Sequence, residues 1–160
     1  FAMIKVGLGV DIHSFEEGRP CVLGGVQIPH PRGLKGHSDA DALVHAVMDA
    51  LLGTMGERDI GHFFPDTDAK WKNADSLKML DVVRGVLEKK KAVVHNVDVT
   101  IIAQEPKVGP HIPAMIENLS RTLRLKPAQF AIKATSSEWM GFTGRKEGMV
   151  ALAVACVDCP

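Results

Sequence analysis

The chain has 160 residues, of which 46% are hydrophobic and 24% charged, so it can bury a core without disulfides or structural metals. Lys and Arg together equal Asp and Glu together at 19 each, which argues against a nucleic-acid or membrane-surface partner. Because no apolar run of spanning length and no signal-peptide pattern occurs, we expect one domain over residues 1–160 that is cytoplasmic, or that lies in a plastid-type organelle lumen if a transit peptide was removed. The first residue is not Met, which leaves open whether Phe1 and Ala2 are native.

The first predicted element is a strand from Ile4 to His13, in which apolar residues alternate with others. One face is apolar, and the other carries Gly7, Gly9, Asp11 and His13. Glycines beside a carboxylate and an imidazole leave room for a bulky group, so we interpret this face as one that binds a ligand. Asp-x-His alone is a weak signal, since most such pairs are surface polar residues.

A short hairpin is predicted next, with strands Cys21–Leu23 and Val26–Ile28 on either side of two glycines. A helix should follow, with Ser38 as N-cap of a capping box completed by Asp41 and with Gly53 at its end.

Asp41, His45 and Asp49 form a polar line at i, i+4 and i+8 beside the apolar stripe of that helix. Asp11, His13 and His45 would supply three N/O ligands, the number expected of a catalytic zinc with a fourth position left for substrate. The alternative is that Asp41 and Asp49 are solvated and that His45 is a core histidine hydrogen-bonded to a neighbour.

The remaining elements are a helix from Asn73 to the lysines at 89–91, a strand over 93–103, a helix over 110–125, a strand over 130–135 and a strand over 149–157. The last strand is apolar on both faces, so both must be covered. Because helices can cover only one, we expect the other to pack on a symmetry mate, the alternative being burial within one chain. The predicted fold is α/β, an α+β two-layer sandwich with a mixed sheet and helices on one face.

Four loops carry residues suited to nucleotide and phosphate binding, and each has a plain structural alternative such as a turn, a helix start or a surface ion pair. Glu138 at a strand end could hold a hard divalent cation on a phosphate, and Arg145 among glycines suits an anion. The loops are residues 59–68, 104–110, 135–138 and 142–145.

Taken together, these motifs closely resemble 2-C-methyl-D-erythritol 2,4-cyclodiphosphate synthases of the non-mevalonate isoprenoid pathway. The resemblance covers almost the whole chain, through the Gly-x-Gly-x-Asp-x-His start, Gly36-His37-Ser38-Asp39-x-Asp41 with His45, Asp59-Ile60-Gly61, Phe64-Pro65-Asp66-Thr67-Asp68, Asn96-Val97-Asp98 and Gly141-Phe142-Thr143-Gly144-Arg145-x-Glu147-Gly148. It implies a homotrimer whose sheets pack together and whose active sites are shared between adjacent chains.

The resemblance also implies the reaction, in which the 2-phosphate of 4-diphosphocytidyl-2-C-methyl-D-erythritol 2-phosphate attacks the β-phosphate and releases CMP. Asp11, His13 and His45 would bind Zn²⁺, and Glu138 a second divalent ion, Mg²⁺ or Mn²⁺. His37 and Ser136 would be the catalytic residues that stabilise the phosphoryl charge.

By the same resemblance, further residues bind the substrate. The methylerythritol side would be lined by Asp59, Gly61, Phe64, Pro65, Asp66, Thr67 and Asp68. The cytidine side would be lined by Ala103, Gln104, Glu105, Pro106, Lys107, Val108, Gly109 and Thr135, and the further substrate-binding residues would be Ser38, Ile60, Ser137 and Glu138. Phe142 and Arg145 complete the set, and the family's arginine at position 145 faces a central trimer cavity that can hold an isoprenoid diphosphate.

Some positions depart from the family pattern. Val10 and Leu152 are apolar where the family often has an aromatic and a carboxylate, and Trp139-Met140 replaces the usual Lys-Leu. A zinc-dependent phosphohydrolase and a non-catalytic cytidine-nucleotide sensor are the alternative functions.

Overall fold

The fold is built on a five-stranded mixed sheet. This computed structural model describes residues 3–160, and Phe1 and Ala2 lie outside the described residues. The strands are β1 (Ile4–Glu17), β2 (Cys21–Leu23), β3 (Val26–Ile28), β4 (Arg32–Leu34), β5 (Val93–Ile102), β6 (Phe130–Thr135) and β7 (Gly148–Asp158). Their order in the sheet is β4-β1-β7-β5-β6, while β2 and β3 form a separate hairpin. Among the strands of residues 3–160, β5 and β6 alone pair in parallel, so the predicted mixed sheet is confirmed.

Five α-helices complete the subunit as described from residue 3 onward. They are α1 (Ala42–Thr54), α2 (Ile60–Phe63), α3 (Ser76–Lys89), α4 (Ile112–Leu123) and α5 (Gly141–Gly144). The main helices pack with the buried side chains of the sheet into one core. Since α1 is buried along almost its whole length, it forms the centre of that core.

The glycine face of β1 lies directly against α1. A Cβ at Gly9 would come 1.9 Å from the carbonyl oxygen of Ala46, and one at Gly7 would come 2.0 Å from that of Ala50. The two glycines therefore admit the backbone of a helix. The interpretation that they make room for a bound ligand is wrong, although Asp11 and His13 project from the same face.

No part of the chain that the structure describes covers the opposite face of the sheet. Ala151, Ala153 and Ala155 of β7 are fully buried toward the helices, whereas Val154 on the other face is 41% exposed. Its register partner on β1, Leu8, is 63% exposed. The alternative prediction, that both faces of the last strand are buried within one chain, is therefore wrong.

Helix starts differ from the predictions. Asp41, not Ser38, is the N-cap of α1, and it accepts a hydrogen bond from the Val44 N–H. Ala40 has a left-handed backbone (φ 58°), which separates Ser38 from the helix. Gly53 lies inside α1 and does not end it.

The second long helix begins later than predicted. Asn73 is left-handed (φ 58°) and lies outside α3, which starts at Ser76 with Asp75 as its N-cap. Among the helices of the described residues, none is long and apolar enough to cross a membrane.

Candidate functional site

Asp11, His13 and His45 converge at the point where β1 passes the first turn of α1. Asp11 and His13 share a face because they are two residues apart on a strand. One ligand atom from each of the three residues lies within 4.8 Å of the other two. The imidazole centroids of His13 and His45 are 5.6 Å apart, so the two rings can share one ion.

The orientation of His13 leaves a lone pair directed at Asp11. Its Nδ1 lies 2.8 Å from the carbonyl oxygen of Lys35, which can only accept, so Nδ1 carries the proton. Nε2 then faces Asp11 Oδ2 at 2.7 Å, and His45 Nδ1 lies 3.3 Å from the same oxygen. Asp11 Oδ2 and His13 Nε2 are buried and form no well-oriented hydrogen bond.

Mutual attraction dominates the ionisation of this cluster. Burial raises the pKa of Asp11, but contacts with His13 and His45 outweigh it and hold that pKa below its ordinary value. Burial lowers the pKa of His13, but Asp11 outweighs it and the net direction is upward. The cluster thus favours a positive charge beside the Asp11 carboxylate. A divalent cation can supply that charge in place of a proton on His13.

The residues fit such a cation. Two imidazole nitrogens and one carboxylate oxygen form the donor set of a catalytic zinc that keeps an open position. Two of the three expected ligand atoms, Asp11 Oδ2 and His13 Nε2, are buried and lack a hydrogen-bond partner among the described residues. The predicted metal cluster is therefore present.

Asp41 and Asp49, the other acids of the polar line on α1, serve the fold. Asp41 is fully buried and accepts hydrogen bonds from the backbone of Gly24 and Gly25 as well as from α1. Asp49 accepts the Ile60 N–H at 2.8 Å and so fixes the start of α2.

A pocket of about 290 Å³, the metal-side pocket, opens over the cluster of Asp11, His13 and His45. The sequence-predicted residues that line it are Asp11, His13, His37, Ser38, His45, Ile60, Gly61, Phe64 and Asp66. Trp71 and Met79 also line it and were not predicted. Trp71 packs edge-on against Phe64, with ring centroids 4.7 Å apart, so it extends the apolar wall that Phe64 begins.

Hydrogen bonds from Arg19 and from Asn73 hold the backbone of residues 36–38. Arg19 donates to the carbonyl oxygens of Gly36 and Ser38 at 2.9 and 2.8 Å, and Asn73 N–H donates to that of His37 at 2.8 Å. The imidazole Nε2 of His37 lies 3.2 Å from the Asp68 carbonyl oxygen. The backbone of this segment is therefore fixed before any ligand binds.

A second pocket of about 530 Å³ lies at the carboxyl ends of β5 and β6. Eight predicted residues line it, namely Ala103, Gln104, Pro106, Lys107, Val108, Gly109, Thr135 and Ser136. Pro110, the last residue of the predicted loop 104–110, lines it as well, and Ile112, Lys133 and Ala134 line it without having been predicted. The two pockets have no lining residue in common.

Several predicted residues line neither pocket in the single chain. Asp59 and Asp68 cap the short helices that follow them, with Pro65 and Thr67 in the loop between. The others are Glu105, which pairs with Lys146 at 2.9 Å, Ser137, which bonds Thr143 at 2.7 Å, Arg145, which pairs with Glu147 at 3.1 Å, and the exposed residues Glu138 and Phe142.

Comparison with known proteins gives consistent matches over nearly the whole chain. Residues 4–158 match the YgbB family. A curated 2-C-methyl-D-erythritol 2,4-cyclodiphosphate synthase of Lysinibacillus sphaericus is 51% identical, over 94% of this chain and 96% of the relative. One of Synechococcus elongatus is 52% identical over 94% of each chain.

Solved structures agree with the sequence matches. A Plasmodium falciparum IspF in complex with CDP is 31% identical with a TM-score of 0.87, covering 99% of this chain and 98% of its own. A CDP-bound 2C-methyl-D-erythritol-2,4-cyclodiphosphate synthase is 37% identical with a TM-score of 0.87, covering 96% of this chain and 100% of its own.

Proposed function

Because the chain belongs to the YgbB family of 2-C-methyl-D-erythritol 2,4-cyclodiphosphate synthases, we propose that its Asp11–His13–His45 pocket is the centre at which the substrate is cyclised. The chain is a cyclising, CMP-releasing phosphorus–oxygen lyase of isoprenoid biosynthesis. The observation that carries the assignment of the site is the convergence of three ligand atoms, two of them buried without hydrogen-bond partners. Neither the phosphohydrolase nor the nucleotide-sensor alternative is favoured by these relatives.

In the reaction, an oxygen of the 2-phosphate forms a bond to the β-phosphorus, and the bond from that phosphorus to the oxygen of CMP breaks. Nucleophile and electrophile belong to one molecule, so the protein must fold the substrate back on itself. Such proximity can lower a barrier by up to about 7–11 kcal/mol. Phosphoryl transfer otherwise needs positioning and charge neutralisation, and no covalent nucleophile.

Asp11, His13 and His45 hold Zn²⁺ in this proposal, and Glu138 holds a second divalent ion, Mg²⁺ or Mn²⁺. When bound, these cations neutralise the phosphate charges that must approach one another. The donor set of the cluster supports zinc. The carboxylate of Glu138 is exposed, and the Ser136 hydroxyl accepts the backbone N–H of Glu138 at 3.2 Å. This arrangement supports a site for a hard cation on a phosphate.

His37 and Ser136 stabilise the transferring phosphoryl group, and the two pockets divide the substrate between them. The metal-side pocket takes the methylerythritol, aided by Ser38, residues 59–61 and residues 64–68. The second pocket takes the cytidine, with residues 103–109, Thr135 and Ser137. Its size and its apolar wall at Val108 and Ile112 support a nucleoside.

The functional unit is a homotrimer whose active sites combine the metal-side pocket of one chain with the second pocket of its neighbour. The absence of any shared lining residue supports this division. The exposed apolar face of β1 and β7 supports packing of the sheets on one another. Phe142 and Arg145 face the central cavity in this assembly, where Arg145 can bind an isoprenoid diphosphate.

The test is incubation with purified 4-diphosphocytidyl-2-C-methyl-D-erythritol 2-phosphate, followed by CMP assay and ³¹P spectra. We expect equal amounts of CMP and a cyclic diphosphate. An acyclic phosphate product would instead indicate a hydrolase, and CDP binding without turnover would indicate a sensor.

His45→Ala tests the metal assignment in the same assay. We expect loss of most zinc and activity with the trimer retained, because the apolar stripe of α1 is unchanged. Full zinc content by metal analysis would remove His45 from the site.

A further inference from the structure

The side of His45 that faces away from Asp11 ends in a buried hydrogen-bond chain. Its Nε2 lies 2.9 Å from the hydroxyl oxygen of Ser76, the first residue of α3. That hydroxyl in turn donates to Oδ1 of Asp39. Ser76 is fully buried and Asp39 is half-buried, so this series of hydrogen bonds lies beneath the metal-side pocket.

The carboxylate of Asp39 determines which group donates and which accepts in this series of hydrogen bonds. Its Oδ2 accepts the Ser76 N–H at 3.0 Å, and its Oδ1 accepts the Asp41 N–H at 3.1 Å. A carboxylate that accepts these bonds can only accept from the Ser76 hydroxyl as well. The Ser76 oxygen must then receive its hydrogen bond from His45, so the imidazole proton is on Nε2.

This assignment places the lone pair of His45 on Nδ1, the atom that lies 3.3 Å from Asp11 Oδ2. His13 is fixed separately, by the Lys35 carbonyl oxygen. Both histidines therefore present a lone pair to the same point, and each is held there by a partner on its opposite nitrogen.

We propose that Asp39 and Ser76 are positioning residues, which hold His45 as the Nε2–H tautomer and direct its Nδ1 at the cation. The proposal rests on the proposed function only in taking His45 as a metal ligand. Ser38 lies 3.2 Å from the same Nε2, but its hydroxyl already accepts the Ala40 N–H and has no carboxylate partner. It cannot replace the directional chain.

The first test is zinc affinity, measured by competition with a chromophoric chelator. Ser76→Ala and Asp39→Asn should each weaken zinc binding by about 10–100-fold, as loss of such outer partners typically does. Ser120→Ala is the matched control, because Ser120 is a buried helical serine whose hydroxyl has no hydrogen-bond partner within residues 3–160. It should bind zinc as the wild type does.

His45→Ala serves as the reference that separates the two levels of inference. If it keeps its zinc, the ligand set itself is wrong. If it loses zinc while folded Ser76→Ala and Asp39→Asn bind zinc with wild-type affinity, only the positioning role is overturned.

A second measurement does not depend on any variant folding. The ¹⁵N imidazole shifts of His45 in the metal-free wild-type protein report which nitrogen carries the proton. We expect protonation at Nε2, and protonation at Nδ1 would overturn the proposal.

Discussion

Asp41 is a buried carboxylate whose charge the fold tolerates through three backbone N–H groups, those of Gly24, Gly25 and Val44, at 2.7–3.0 Å. Burial, and then repulsion from Asp39, raises the pKa of Asp41 to about 6 from an ordinary value of 3.8. Between these values the folded chain keeps a proton that the unfolded chain has lost. The contribution of Asp41 to stability is therefore fully present below about pH 4 and is lost as the pH rises through about 6.

This predicts a pH-dependent difference between the metal-free wild type and Asp41→Asn, in which the titration is absent. The difference in free energy of unfolding, wild type minus variant, should fall by about 3 kcal/mol between pH 4 and 7, since one pKa unit corresponds to about 1.4 kcal/mol. Urea unfolding at several pH values measures it. A difference that is constant or rises with pH would contradict the prediction.

Glu138 permits a substitution that removes charge and little else. Its left-handed backbone (φ 53°) is as costly for Gln as for Glu, and its side chain is exposed. Glu138→Gln should therefore keep full zinc and bind CDP without Mg²⁺, yet turn over at least about tenfold more slowly, because the second cation that we propose for Glu138 would be lost. Metal analysis, CDP titration and CMP release test this, and wild-type turnover would refute the role.

At the scale of elements, the close contact of β1 and α1 determines the metal cluster, because each element carries part of it. A Cβ at Gly9 would collide with backbone atoms of Ala46, the residue after His45. Gly9→Ala should thus destabilise the protein by about 3 kcal/mol and weaken zinc binding as α1 moves away.

Gly85→Ala is the control for Gly9→Ala. Gly85 lies in α3, and a Cβ there meets nothing within 4 Å. Alanine should raise stability by up to about 1 kcal/mol and leave zinc affinity unchanged. Thermal unfolding and chelator competition compare the two, and equal effects would show that the β1–α1 contact is not the cause.

The sequence predicts the long elements and the metal ligands because both depend on local patterns. Alternation predicts β1, a run that is apolar on both faces predicts β7, and ligand chemistry alone selects Asp11, His13 and His45. The start of α1 was wrong because Ser38 and Asp41 are both good N-caps, and only the left-handed Ala40 decides between them. Trp71 lines the pocket through a tertiary contact with Phe64, which no local pattern encodes.

At the scale of the whole molecule, the uncovered face of the sheet predicts assembly. Leu8 lies in its middle, opposite Val154. If this face packs against a neighbouring chain, a lysine at position 8 would be buried there at a large cost in free energy. Leu8→Lys should therefore yield monomers in light scattering. Because the metal cluster is complete in one chain, these monomers should still bind zinc, although they should lose turnover.

The exposed Val82 on α3 supplies a matched substitution away from the sheet. Val82→Lys should remain trimeric and active. A trimeric, active Leu8→Lys protein would instead show that this face is not the interface.

The proposed sharing of active sites between neighbouring chains makes a further prediction that neither variant tests. His45→Ala damages only the metal-side pocket, and Ser136→Ala damages only the second pocket. In mixed trimers, an intact metal-side pocket of a Ser136→Ala chain would meet an intact second pocket of a His45→Ala neighbour. Co-refolded mixtures should therefore recover a substantial fraction of wild-type CMP release, although each variant alone is nearly inactive. If every active site lay within one chain, mixing would restore nothing, because each chain would keep its own defect.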